Sequence, residues 1–117
     1  MEKWQKPSEE TIASYQNIVA RLDGVEKRTM FGCPCAFVNG YMFFGVYHDQ
    51  LFLRMNDEQR EQLNQIMPVK SFSPMGKVMK AYIDIPDEII NDREKLLALV
   101  QNALHPAQVL PPKKTKK

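Results

Sequence analysis

Two cysteines separated by one residue are the most reactive side chains that the sequence places close together. Cys33 and Cys35 flank Pro34, and thiolates can ligate a metal ion or undergo reversible oxidation. A tetrahedral zinc site needs four ligands, or three and a water, but neither His48 nor His105 has ligand spacing to a partner. One intervening residue is also tight for a disulfide. We therefore expect both cysteines to pack as small buried residues at a strand end, and we keep a thiol or metal sensor as the least favoured hypothesis.

A second candidate centre is the stretch Arg28-Thr29-Met30-Phe31-Gly32. Arg28 could hold a ligand anion or the carboxylate of a partner, and Gly32 could permit close backbone approach or a bulge. In the structural alternative, which we favour, Met30 and Phe31 pack inside while Arg28 pairs with an acid at the surface, where most ion pairs have no special role. The residues retained as interaction candidates are Arg28, Met30, Phe31, Gly32, Met75 and Gly76.

Lysines flank the predicted turn Pro74-Met75-Gly76, and Phe72 and Tyr82 lie close to it in the sequence. Such a basic and aromatic platform could bind nucleic acid through phosphate contacts and base stacking. The same lysines would also protect a solvated strand edge from aggregation, which is the interpretation we favour. The nucleic-acid candidates are Lys70, Lys77, Lys80, Lys113, Lys114, Lys116 and Lys117.

The charge balance disfavours nucleic-acid binding by the body of the protein. The formal net charge is +2, but four of the 16 basic residues lie in the last five positions. Without them the body has 12 basic and 14 acidic residues, a net charge of −2, whereas a dedicated nucleic-acid binder usually has a net-basic domain. The sequence also contains no Ser–His–acid, P-loop, dinucleotide-binding or paired-carboxylate pattern, so we expect neither an enzyme nor a bound cofactor.

Length and composition indicate one domain with its own core. The chain has 117 residues, of which 44% are hydrophobic, enough to bury about two-thirds of the unfolded surface. Because no apolar run approaches the roughly 20 residues that span a bilayer, and the first residues do not resemble a secretory signal, we expect a cytoplasmic protein without membrane contact. Its cysteines should then be reduced.

The first half of the chain predicts a helix followed by a three-stranded meander. Ser8 is a plausible N-cap, Asn39-Gly40 is the strongest short-range hairpin signal, and Pro34 implies an edge or a bulge. Tight turns between successive strands are typical of antiparallel pairing. The predicted elements are a helix over 9–23 and strands over 28–38, 41–47 and 51–55.

The second half predicts two further helices and one or two strands. Asn56 and Gln59 are placed as a capping box, and Asp92 can cap a final helix that His105-Pro106 closes. A short strand is predicted over 71–73. The alternation over 78–85 predicts a half-buried strand whose other face, including Tyr82, is solvated.

These elements predict an α+β fold, with an antiparallel sheet of four to five strands built around the meander and packed against the N-terminal and C-terminal helices. We expect the domain to occupy residues 1–105 and residues 106–117 to form a flexible Pro/Lys-rich tail. In the strand over 41–47, Met42 and Phe44 should share one face and Phe43 the other. Since both faces are apolar, we expect helices on both or a second subunit on one, and a homodimer is the favoured explanation.

The order of the motifs resembles the TfoX amino-terminal domain family over about residues 8–105. The motifs in question are Arg28-Thr29-Met30-Phe31-Gly32, Asn39-Gly40, Leu51-Phe52-Leu53-Arg54, Phe72-Ser73-Pro74-Met75-Gly76, the strand from Met79 to Pro86, and the helix from Leu96 to Leu104. The resemblance implies an α+β fold and a regulatory domain, which in two-domain relatives takes part in switching on genes for DNA uptake. It brings no catalytic residues. Cys33-Pro34-Cys35 departs from the small residues, often glycine, of relatives.

Three hypotheses about function follow. The first is a non-enzymatic regulatory or interaction domain that works through protein contacts, as a stand-alone member of the resembled family without the carboxy-terminal domain. The alternative is a nucleic-acid-associated protein that uses the lysines named above. The least favoured is a thiol or metal sensor through Cys33 and Cys35.

Overall fold

A computed structural model describes residues 6–30, 32–73 and 76–109, and Met30 by its backbone alone. The helices within these residues are α1 (Glu9–Val19), α2 (Asp57–Ile66), α3 (Asp87–Ile90) and α4 (Arg93–Gln108). The strands are β1 (Glu26–Met30), β2 (Cys33–Val38), β3 (Tyr41–Tyr47), β4 (Gln50–Arg54), β5 (Lys70–Phe72) and β6 (Met79–Asp84). None of the described helices has the length and apolar character that a membrane crossing requires.

The strands form one antiparallel sheet in the order β1-β2-β3-β4-β6-β5. The α+β class and the meander are confirmed, but the sheet has six strands where four to five were predicted. The single strand predicted over 28–38 is wrong, because the chain reverses between Met30 and Cys33, which pair with each other. Gly32 has a φ of 74° in this turn, a conformation that glycine adopts without strain.

The hairpins β2–β3 and β3–β4, which the sequence predicted, follow from local turn chemistry. Asn39 and Gly40 have φ angles of 51° and 84°, as a type I′ turn requires, and Val38 pairs with Tyr41 across them. His48 also has a positive φ, in the turn before β4. The predicted hairpins are therefore confirmed. Pro34 lies opposite Thr29 of β1, in the part of β2 that precedes its pairing with β3.

Helices α1 and α4 cover one face of the sheet, as predicted, and form the first core with it. This core includes Ile18 of α1, Val100 of α4, and Phe44 and Leu53 of the sheet. Ser8 caps α1 by accepting a hydrogen bond from the Thr11 amide. The helix ends at Val19 rather than near 23 because the amides of Arg21 and Leu22 donate to carbonyls only three residues earlier.

The opposite face of the sheet is buried as well and forms a second core. Its residues are Cys35, Phe37, Met42, Tyr47, Phe52, Phe72 and Tyr82. The Phe72 ring stacks on Phe52, with 4.4 Å between centroids, and its centroid lies 5.5 Å from that of Tyr47. In a flat sheet β5 and β3 would be about 14 Å apart, so the sheet must curl around this face. The predicted solvated face is therefore wrong for Tyr82, which is 6% exposed.

A bulge explains why the two faces of β3 differ from the prediction. Ala36 pairs with Phe44 and Phe37 pairs with Met42, which leaves Phe43 as an extra residue. Phe43 and Phe44 both enter the first core, and Met42 enters the second. The expectation that Met42 and Phe44 share a face is wrong, since the extra residue breaks the period of two. Both faces are apolar, as expected, but both are buried within one chain.

Helix α4 extends past its predicted end, and a hydrogen bond from α2 satisfies a carbonyl that Pro106 leaves without a helical donor. Pro106 has no amide to donate to the Asn102 carbonyl, and Gln59 Nε2 donates to that carbonyl instead, at 2.7 Å. Helix α4 therefore continues to Gln108, beyond His105-Pro106, and Ala107 is buried. The predicted caps at Asn56, with its Gln59 capping box, and at Asp92 are confirmed.

Candidate interaction site

Both cysteines lie in the interior and are present as free thiols. Burial raises the pKa of the Cys35 thiol to about 12, and the pKa of Cys33 is also raised by burial. A thiol must lose its proton to ligate a metal or attack a substrate, so this environment disfavours both. In the described ranges no three His, Cys, Asp or Glu side chains gather within reach of a common metal ion.

Arg28 lies on β1, at one edge of the sheet, and its guanidinium contacts two side chains among the described residues. Its guanidinium pairs with Glu26 at 2.8 Å, with both side chains more than half exposed, and lies 5.1 Å from the centroid of the Phe37 ring. These contacts agree with the surface ion pair that the sequence favoured. Gly32 and Gly76, each with a positive φ, occupy separate turns, whereas Phe31 and Met75 lie outside the described residues.

A cleft of about 510 Å³ separates α1 from β1 and places Arg28 beside residues that the sequence did not nominate. We call it the α1–β1 cleft. Its charged lining residues, Lys27 and Arg28, are both basic. The residues that line it are Tyr15, Gln16, Val19, Ala20, Lys27, Arg28, Thr29 and Pro34.

Tyr15 is the unusual residue of this cleft. Its side chain is 3% exposed, its ring stacks on Phe44, and within the described part of the chain its hydroxyl has no hydrogen-bond partner. Burial, with a smaller contribution from Cys35, raises the pKa of Tyr15 to about 12. Because an unpaired buried hydroxyl is unfavourable, a polar group that reached the Tyr15 hydroxyl would form a hydrogen bond with a gain in free energy.

The sequence missed Tyr15 and Lys27 for different reasons. Tyr15 falls on the apolar stripe of α1, a pattern that predicts burial but not the absence of a partner for its hydroxyl. Lys27 immediately precedes the strand predicted to begin at Arg28, and the cleft forms where β1 lies beside α1. No local sequence signal indicates that α1 and β1 lie beside each other.

The lysines of the predicted nucleic-acid platform lack exposed rings beside them. Lys70, Lys77 and Lys80 are exposed, but Phe72 and Tyr82 are only 2% and 6% exposed. Base stacking needs an accessible ring face, so these two rings cannot supply it. The lysines of the tail lie outside the described residues.

These features define an α+β domain whose six-stranded antiparallel sheet packs against its first and last helices, with an open cleft at one edge. The sequence model of the TfoX N-terminal domain family matches residues 17–107, which is most of the chain. The protein belongs to the TfoX N-terminal domain family. No curated protein is similar enough to the sequence to match it.

Proposed function

We propose that this protein is a non-enzymatic regulatory domain that binds a partner protein through the α1–β1 cleft. The observation that carries the proposal is the combination of a basic lining with the buried, unpaired hydroxyl of Tyr15. Membership of the TfoX N-terminal domain family supports a regulatory role connected with competence or transcription.

The occupant of the cleft that fits best is an acidic segment of the partner. None of the described residues that line the cleft is acidic, although Glu26 pairs with Arg28 from outside the lining. Complementary charge speeds association and selects partners. Ala20 and Pro34 add apolar contact area, and a polar group of the segment that reached the buried Tyr15 hydroxyl would give it a hydrogen-bond partner.

Side-chain docking suits this edge of the sheet better than addition of a strand. Strand β1 presents Glu26, Lys27 and Arg28 as exposed residues, and charged side chains on an edge strand oppose pairing with a further strand. Strand β5, at the other edge, has three residues, too few for an extended ladder.

Photocrosslinking in the native cell tests the proposal. A photoreactive residue in place of Gln16, which is exposed and lines the cleft, should give a protein adduct, and the same residue in place of exposed Lys95 on α4 should not. The crosslinked segment, identified by mass spectrometry, should be acidic. The double variant Lys27→Glu/Arg28→Glu should remove the adduct, whereas Lys70→Glu/Lys80→Glu should retain it.

Other occupants give different results in the same experiment. A nucleic-acid adduct that Lys70→Glu/Lys80→Glu removes, with steep salt dependence, would favour the nucleic-acid alternative. An adduct between two copies of the chain would favour self-association. Equal adducts from positions 16 and 95 would contradict a specific role for the cleft.

A further inference from the structure

A second cavity, of about 330 Å³, lies where the end of β4, the start of α2 and the last turns of α4 meet. We call it the arginine cavity. It combines apolar residues with two arginines, and none of its described lining residues also lines the α1–β1 cleft. The lining residues are Arg54, Met55, Asn56, Asp57, Arg60, Ala81, Ala103, Pro106 and Ala107.

Arg54 is held in place by aromatic rings. Its guanidinium carbon lies 4.9 Å from the ring centroid of Tyr41 and 5.5 Å from that of Tyr82. Nη1 of Arg54 donates to Tyr82 Oη at 3.3 Å, and that hydroxyl donates to the Met42 carbonyl at 2.7 Å. A guanidinium fixed in this way loses less rotamer entropy when it binds an anion.

Arg60 already binds an anion of the protein itself. Its Nη1 donates to the Met55 carbonyl at 2.7 Å, and its Nη2 pairs with the carboxylate of Asp57. The Asp57 side chain is 96% exposed, whereas that of Arg60 is 23% exposed. An exposed carboxylate on a mostly buried guanidinium is a contact that a ligand anion can replace at little cost in desolvation.

We propose that the arginine cavity binds a small molecule with a phosphate or carboxylate group attached to a small apolar body. Guanidinium groups bind both kinds of anion through paired hydrogen bonds. Met55, Ala81 and Ala103 provide apolar contact, and the volume matches the small end of the range for ligand pockets. The proposal does not depend on what occupies the α1–β1 cleft.

An NMR titration with phenyl phosphate and benzoate tests this proposal, with phenol as the uncharged control. Saturable shifts are expected at the side-chain N–H groups of Arg54 and Arg60 and at the methyl groups of Ala103 and Ala107. Phenol should bind at least about tenfold more weakly, because it lacks the charge-assisted hydrogen bonds. A stronger response to one charged probe identifies the anion, and phenol shifts as large as theirs would overturn the proposal.

Three variants and a control sharpen the test. Arg54→Gln and Arg60→Gln should each weaken phenyl phosphate binding about tenfold. If Arg54→Gln unfolds because it loses its contacts with the aromatic rings, Arg60→Gln alone provides the test. Asp57→Asn should strengthen binding several-fold, because it frees Arg60. Arg21→Gln, an exposed arginine outside the cavity, should change nothing. An equal loss in Arg21→Gln, or no gain in Asp57→Asn, would overturn the proposal.

Discussion

Cys35 is the residue whose protonation most clearly depends on the folded structure. Burial raises its pKa from the ordinary 9.0 to about 12, so between these values the unfolded chain releases a proton that the folded protein retains. The folded state then binds more protons, and the free energy of unfolding falls as the pH rises through this interval. Below about pH 9 both states hold the proton, and Cys35 contributes no pH dependence.

Denaturant unfolding from about pH 8 to about pH 10.5 should therefore show stability decreasing more steeply for the native sequence than for Cys35→Ala. Tyr15, whose pKa is raised from 10.0 to about 12, adds a decline at the upper end that both proteins share. Identical slopes, or alkylation of Cys35 in the folded protein as fast as that of an exposed thiol, would contradict the assigned burial.

Gly45 is required by close packing in the second core. A Cβ atom at this position would lie 2.9 Å from Phe52 Cζ, 3.0 Å from Cys35 Sγ and 3.1 Å from Cys35 Cα. Gly45→Ala should lower the free energy of unfolding by about 1–3 kcal/mol, the usual range for overpacking. Adding Phe52→Leu should make the combined loss smaller than the sum, in urea unfolding. If the two losses in the free energy of unfolding were strictly additive, the Phe52 ring would not be in contact with the added Cβ atom.

At the scale of elements, the contact between Gln59 and Asn102 replaces a helical hydrogen bond that Pro106 cannot make. Gln59→Glu keeps an oxygen for the Asn56 amide but removes the donor to Asn102. It should lower the free energy of unfolding by about 1 kcal/mol. In a Pro106→Ala background, where position 106 regains its amide, the loss should shrink. A double-mutant cycle without coupling would contradict this arrangement.

Phe72, which the sequence analysis considered as part of a surface platform, lies in the second core. Its truncation should therefore have a large effect on the free energy of unfolding. Phe72→Ala should lower the free energy of unfolding by about 3–5 kcal/mol, as for other buried aromatic residues. Val78→Ala, at a side chain that is 57% exposed, should stay within about 0.5 kcal/mol. A nearly neutral Phe72→Ala would place the ring at the surface and restore the platform interpretation.

At the scale of the whole molecule, the correct predictions depend on neighbours in sequence. The caps at Ser8, Asn56 and Asp92 and the Asn39-Gly40 turn involve contacts over a few residues, which type and spacing reveal. The curl of the sheet, the stacking of Tyr15 on Phe44 and the continuation of α4 beyond Pro106 depend on distant segments. For the same reason the sequence named Arg28 as an interaction candidate but did not name Tyr15 and Gln16, which line the same cleft from α1.

The same curl determines which surfaces remain for recognition. With α1 and α4 on one face and the second core on the other, the apolar faces of the sheet are buried within the chain. The apolar face on which a homodimer was expected is thus buried within the chain, and the homodimer itself stays a prediction. The α1–β1 cleft and the arginine cavity lie at the margins of the sheet, where side chains of different elements meet.

An isotope-filtered NOE experiment tests this central claim most directly. In a sample that mixes labelled and unlabelled chains, the rings of Phe72, Phe52 and Tyr47 should show NOEs to one another within a chain, at every protein concentration. NOEs between these rings that join labelled to unlabelled chains would show instead that this face is shared between two molecules, and would contradict a core closed within one.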